Sequence, residues 1–250
     1  MANGTYQKYF DAAQLALAAY SDFSGTSPTT DGARVSLDVK RQLIVSGDFE
    51  TTGAQQFTDQ FQVIDQFTDP SLYLNGFSAT VFRDKQTGQL YFVPRGTENS
   101  GDYLADGALA IGITARSQII SMVNYFLRLQ AGAGNVARQI KASSILPSDG
   151  VEWDQSKTVL GVGAGLNLNQ LIVAGHSLGG YLATIFGRIF NDKVAAAYTF
   201  NAPGAYGGFG LLDNIARLLG AAPNVFLDAS RQTNLAGDNI VSLVPGRRGR

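Results

Sequence analysis

The stretch best equipped for chemistry is Gly175-His176-Ser177-Leu178-Gly179-Gly180, a G-x-S-x-G pattern followed by a further glycine. It sits between the apolar run Leu171-Ile172-Val173-Ala174 and a helically spaced stretch, Leu178 to Phe190. In that setting it reads as a sharp strand-to-helix turn that aims a serine hydroxyl outward, the geometry of an activated nucleophile. Glycine at 175 and 179 spares the adjoining backbone a side chain, and Gly180 lets the helix approach the sheet closely. Ser177 would lie at a helix N-terminus, where unpaired N–H groups favour a developing oxyanion; Leu178 N–H is the first candidate donor. The competing reading is a tight Gly/Ser loop without chemistry. His176 is the single histidine of the chain, but a residue directly adjacent to the serine on such a turn projects away from Oγ. A hydrogen-bonded structural role is therefore expected for it, and Ser177 is left without an obvious base.

The elements that must position this turn are legible in part. Tyr9, Phe10, Ala13, Leu17 and Tyr20 recur at helical spacing, with Asn3 or Thr5 as N-cap. From Ser21 to about Pro70 the Ser, Thr, Gly, Asp and Gln content suggests loops with short elements. Phe77 to Val81 alternates, residues Asp84 to Gly88 supply a turn, and Leu90 to Val93 is apolar, which together predict a β-hairpin running into Pro94-Arg95-Gly96-Thr97. Ile119 to Leu129 predicts a helix, and Gly132 to Gly165 reads as loops around further helix. Beyond it, strand-like runs at 171–174, 194–200 and 225–227 alternate with helical runs at 178–190 and 211–219. That alternation predicts a single α/β domain over residues 1–250, with a mostly parallel central sheet covered by helices on both faces.

Composition narrows the functional classes. The 250 residues are 45% hydrophobic and 16% charged, with a formal net charge of -1, so disorder is excluded and no general attraction to nucleic acid is expected. With no cysteine and one histidine, a zinc site would have to rest on carboxylates, and no metal or other cofactor is expected. No apolar run approaches the roughly 20 residues of a transmembrane helix, and the N-terminus lacks the basic start of a Sec-type signal.

Several motifs in order then resemble the class 3 lipases, the fungal-lipase-like branch of the α/β-hydrolases, over about Phe77 to Pro245. Val93-Pro94-Arg95-Gly96-Thr97 looks like that family's oxyanion segment, which puts Thr97 in the donor position. Asp102-Tyr103-Leu104-Ala105-Asp106 is similar to the acidic and aromatic root of the lid. Thr199-Phe200-Asn201-Ala202-Pro203-Gly204 resembles the strand-end turn commonly written T-F-G-x-P, and Asn234 to Pro245 resembles the stretch bearing the triad aspartate. Physical placement agrees. A second oxyanion donor must come from another strand-end loop, for which residues 95–97 are suitably placed. The acid should follow the nucleophile on a strand-end loop; Asp238 satisfies this after a strand at 225–227. Asp228 falls within or just past that strand and Asp213 on a helix. The bland alternative for Asp238 is a turn aspartate in Gly237-Asp238-Asn239.

The resemblance implies a serine carboxylester hydrolase acting on lipid esters, triacylglycerol or phospholipid, with contact at a lipid surface. It also implies a histidine after Asp238, and none follows. Two explanations stand open: the domain continues past Arg250 and the fold is truncated here at its C-terminal end, or the chain is a degenerate hydrolase kept as a lipid-binding or interaction domain. The intact nucleophile, oxyanion segments and acid favour the first. Ala108 to Ile113 reads equally as a lid or as the start of a core helix. Cysteine-free, glycine-rich chains without a Sec signal are also similar to bacterial lipases exported in one step, so secretion is expected, with a cytoplasmic location the alternative. The calcium-binding glycine and aspartate repeats of those lipases do not occur in these residues.

Overall fold

The computed structural model describes residues 2–29, 32–70, 76–96, 107–144, 149–163, 165–204, 209–223 and 226–236. Its centre is a six-stranded sheet. In chain order the strands are β1 (Phe61–Thr68), β2 (Ser78–Asp84), β3 (Leu90–Pro94), β4 (Leu171–His176), β5 (Val194–Phe200) and β6 (Gln232–Leu235), and they lie side by side in that order. The first two pairings are antiparallel; β3 with β4, β4 with β5 and β5 with β6 are parallel. The architecture is thus α/β-hydrolase-like, with a mostly parallel sheet.

Strand alternation sends neighbouring residues to opposite layers. Val81, Phe92 and Val173 belong to one core, with helices α4 (Gly107–Gln130), α5 (Leu178–Ile189) and α6 (Phe209–Leu219). Phe82, Tyr91 and Ala174 belong to the other, with α1 (Ala2–Ala18), α2 (Ser36–Ser46) and α3 (Thr51–Gln60). Helices therefore cover both faces. The first core is tied by aromatics: Phe92 of β3 stacks on Phe186 of α5 with centroids 4.4 Å apart, and Phe126 of α4 meets Phe186 edge-on at 4.8 Å. These contacts fix β3 and α5 relative to one another, and the two candidate oxyanion segments hang from those elements.

The hairpin forms as its sequence predicts, with the Asp84 carboxylate accepting from Gln86 N, Thr87 N and Thr87 Oγ1 in the turn. Five expectations need correction. Helix α1 starts at Ala2, so Asn3 and Thr5 lie inside its first turns and not at its N-cap position. Its buried side is Ala12, Leu15, Ala16 and Ala18, whereas Phe10 and Leu17 are exposed; small alanines allow close packing on the sheet, and bulk alone misled. Residues 36–68, read as part of a region of loops with short elements, are almost wholly regular and form α2, α3 and β1; their buried faces are short sets such as Val39, Leu43, Ala54 and Phe57, diluted by polar residues. The described residues between Gly132 and Gly165 hold four short strands paired two by two, at 136–137 with 159–160 and 140–142 with 151–153, and no helix. The described residues at 226–228 are not a strand; the sheet is completed instead by β6, two half-exposed and two exposed residues with no apolar signature.

Ala108 to Ile113 forms the first turns of α4, and its side chains lie outside the described set, so the choice between lid and core start stands as before.

Candidate active site

The turn at Ser177 has the strained form that the motif predicts. Ser177 carries φ 54° and ψ -126°, a region L-residues seldom occupy, which costs about 1–3 kcal/mol and persists only where the surroundings impose it. Here they do. Ser177 N donates to Phe200 O at 2.9 Å, while its own carbonyl accepts from Gly180 N at 3.0 Å and Tyr181 N at 3.1 Å, opening α5. The Ser177 side chain makes no capping hydrogen bond to its helix. Leu178 is the first helical residue, and its N–H belongs to the helix start that has no intrahelical acceptor.

The three glycines are explained by close approach. A Cβ on Gly175 would lie 2.7 Å from Gly180 N and nearer still to Gly179 O. One on Gly180 would meet Ala202 Cβ at 2.7 Å and Gly175 O at 2.9 Å. Gly179 faces the end of β3: a Cβ there would stand 2.9 Å from Arg95 C and from Gly96 N, and closer to Pro94 O. The segment proposed from sequence as an oxyanion element thus runs directly against the serine turn. Thr97, one residue further on, lies outside the described residues.

His176 is the last residue of β4 and shares strand parity with Ile172 and Ala174, which pack on the α1 side. Its Nδ1 is 3.2 Å from Tyr20 Oη, just past the end of α1, and burial holds the imidazole below its ordinary pKa, so it is neutral near pH 7. The structural role expected for His176 has a physical basis: alternation turns it beneath the sheet edge, away from the outward serine. Tyr20 is a partner the sequence did not reveal as such. It also crowds the end of β3, because a Cβ on Gly96 would collide with Tyr20 Oη and lie 2.7 Å from His176 O. A tyrosine at a helix end carries no local signal for such a contact.

Asp238 lies outside the described residues, but its approach is visible. The ends of β4, β5 and β6 are in register, His176 opposite Phe200 and Phe200 opposite Leu235. The strand is anchored by Arg231, whose Nη1 donates to Val194 O at 2.8 Å, and by Asn201 N donating to Leu235 O at 2.8 Å. Three residues past Leu235, the sequence reaches Asp238. The other aspartates are accounted for differently. Asp228 caps a short 3-10 turn, its carboxylate accepting from Ser230 Oγ at 2.6 Å and Ser230 N at 2.8 Å, and these bonds lower its pKa. Asp213 lies within α6. Asn201 stands where the T-F-G-x-P pattern has glycine; its φ of 48° explains the exchange, asparagine being among the few side chains that tolerate this region. Among the described residues no cluster of histidine, aspartate or glutamate could hold a metal ion.

No protein-family model matches the chain, and no curated protein does. Among solved structures, three fungal enzymes have a similar chain path. The lipase of Rhizopus microsporus var. chinensis aligns with 80% of this chain and 58% of its own length, at 16% identity and a TM-score of 0.45. Lipase II of Rhizopus niveus aligns with 80% and 63%, at 17% identity and a TM-score of 0.47. A triacylglycerol lipase of Penicillium expansum aligns with 94% and 69%, at 13% identity and a TM-score of 0.39. The chain therefore spans about three fifths of the length of the two Rhizopus lipases. These likenesses concern chain path; the chemistry rests on the residues themselves.

Proposed function

We propose that this chain is the nucleophile-bearing part of a serine carboxylester hydrolase acting on lipid esters, of triacylglycerol lipase or phospholipase type. The observation that carries the reading is the strained Ser177, held at φ 54° at the mouth of a buried helix that its hydroxyl does not cap. Ser177 Oγ attacks the ester carbonyl while a base takes its proton. Leu178 N–H and Thr97 donate to the oxyanion that forms. Collapse expels the alcohol, which takes up a proton, and leaves an acyl-serine that water hydrolyses through the same steps. Asp238 orients the base. That base is a histidine from polypeptide outside residues 1–250, because His176 is committed to Tyr20. The single imidazole held away from Ser177 also favours a second reading, a hydrolase-derived domain that binds lipid esters without turning them over.

The two readings separate by chemical rescue. Imidazole at about 0.1 M should raise hydrolysis of a short-chain p-nitrophenyl ester above the imidazole blank, at a level within the roughly 10³–10⁴-fold left to oxyanion hole and binding alone. A fluorophosphonate ester should then label the protein at Ser177, and Ser177→Ala should abolish both signals. Rescue absent from the parent chain, together with no labelling of a longer chain that includes a downstream histidine, leaves the binding domain.

A further inference from the structure

Helix α1 ends at Ala18, and its last turn closes with Tyr20 N donating to Leu17 O and Ser21 N to Ala18 O, both at 3.0 Å. The helix lies chiefly over β4 and leaves Tyr198 and Phe200 of β5 half-exposed. At its end the side chain of Tyr20 falls over the ends of β3 and β4. The ladder between those strands is short: it pairs Tyr91 with Ile172 and Phe92 with Val173, and no ladder pair joins Gly96 to His176 beyond it. Yet these two residues are in contact. A Cβ on Gly96 would stand 2.7 Å from His176 O and 3.3 Å from Tyr20 Cζ, and would strike Tyr20 Oη. Gly96 does not have the left-handed φ that calls for glycine, so it is the phenol and the carbonyl that exclude a side chain there. The same Oη lies 3.2 Å from His176 Nδ1, the two rings tilted at 57° with centroids 6.3 Å apart. Two residues on, the Asp22 carboxylate is held below its ordinary pKa by hydrogen bonds from Ser24, with the charge of Arg95 adding to them. The end of α1 is thus linked to the end of β3 a second time.

We propose that Tyr20 is a positioning residue: its phenol, seated against Gly96 and bonded to His176, fixes the ends of β3 and β4 relative to each other and with them the turn at Ser177. Its bearing on catalysis rests on the hydrolase reading above; the mechanical role does not. The end of β3 is gripped from two sides. On the α5 side Gly179 abuts Pro94, Arg95 and Gly96. On the α1 side Tyr20 closes on Gly96 and on the residue immediately before the serine. With no ladder pair there to resist, loosening either grip frees the end of β3 to move away from the turn. The strained backbone of Ser177 persists only while its surroundings hold it, and Tyr20 is one of those surroundings. Tyrosine suits the task because a rigid ring on two rotatable bonds carries a polar tip to a fixed point. Phenylalanine fills the same space but lacks the atom that meets both Nδ1 and Gly96. With the imidazole neutral, the bond joins uncharged groups and is worth about two- to tenfold in an equilibrium.

Amide hydrogen exchange in Tyr20→Phe tests the role without turnover. Ser177 N, bonded to Phe200 O, and Arg95 N, bonded to Ser78 O, should exchange about two- to tenfold faster than in the parent. Leu171 N, bonded to Lys193 O at the opposite end of β4, should keep the parent rate, which a general loss of stability would not allow. His176 is the sole histidine, so its single set of ring nitrogen signals reports the bond directly, and the Nδ1 signal should move in the same variant. Tyr20→Phe should also lessen the damage done by Gly96→Ala, the double variant losing less Tm than the two single losses added, because the Oη that the new Cβ strikes is gone. Equal acceleration at Leu171, unchanged exchange at Ser177 and Arg95, an unmoved Nδ1 signal, or additive Tm losses overturns the proposal. Fluorophosphonate labelling in imidazole then separates the mechanical role from its use in catalysis. Where the parent labels at Ser177, Tyr20→Phe should label about two- to tenfold more slowly, and Val39→Ala, which loosens the buried face of α2, should label at the parent rate. Equal labelling of parent and Tyr20→Phe overturns the positioning role. A parent that does not label overturns the hydrolase reading alone, and the exchange rates still decide for or against Tyr20.

Discussion

Replacing Gly179 with alanine tests the contact on which the candidate site depends. An added Cβ would stand 2.9 Å from Arg95 C and Gly96 N, while ordinary contacts begin at 3.4 Å, so the serine turn and the end of β3 must part by at least 0.5 Å (3.4 minus 2.9). All the atoms met there, Pro94 O included, are backbone, and no rotamer change relieves the clash. Such overpacking costs about 1–3 kcal/mol. For a chain of this size each kcal/mol moves Tm by about 2–4 °C, so a fall of about 2–12 °C is expected in a circular-dichroism melt. The separated pieces carry both proposed oxyanion donors, and a misplacement of about 1 Å can cost about 10²-fold, so Ser177 labelling by a fluorophosphonate in imidazole should fall by up to that factor. Gly187, on the same helix, is the internal control: its Cβ would meet only the Leu227 side chain, at 3.5 Å. There the helix gains about 0.5–1 kcal/mol from alanine, and Tm should hold or rise by about 1–4 °C. A Gly179→Ala chain that melts and labels like its parent, or a Gly187→Ala chain equally damaged, refutes the close-approach argument.

Two further outcomes follow from the packing. Burial lowers the pKa of His176 below its ordinary 6.5, so as pH falls the unfolded chain takes up that proton first; stability is full above pH 6.5 and declines toward the lower folded value. Because His176 is the sole histidine, His176→Gln should flatten the urea midpoint between pH 7 and about 5.5, leaving the carboxylate losses below about pH 5; an unchanged slope contradicts the assignment. Phe186→Ala removes the ring that joins Phe92 to Phe126 and should cost about 3–5 kcal/mol in denaturant unfolding; a loss under about 1 kcal/mol would mean that the cluster does not hold β3 to α5.

Local pattern was sufficient for the serine turn, the hairpin leading to Arg95 and the alternation from Leu171 to Leu219, because glycine spacing, strand-like apolar runs and helical periodicity are all properties of short segments. The same patterns singled out the candidate residues: a serine between glycines, with a neighbour that strand parity sends to the other layer. Two kinds of feature escaped. Elements with dilute apolar faces, α2, α3 and the four-residue β6, form because a neighbouring sheet gives their few apolar residues something to pack on or, for β6, because Arg231 and Asn201 tie a polar strand to its neighbour. The outer side of α1 escaped for the opposite reason, since Phe10 and Leu17 look like core and are displaced from it by closely packed alanines. That Tyr20, Gly96 and His176 meet, that Gly179 touches the end of β3, and that one side of β5 stays uncovered were decided by tertiary structure alone. The first two bring together residues some 76 to 156 positions apart (96 minus 20, 176 minus 20), and no local sequence pattern spans such a distance.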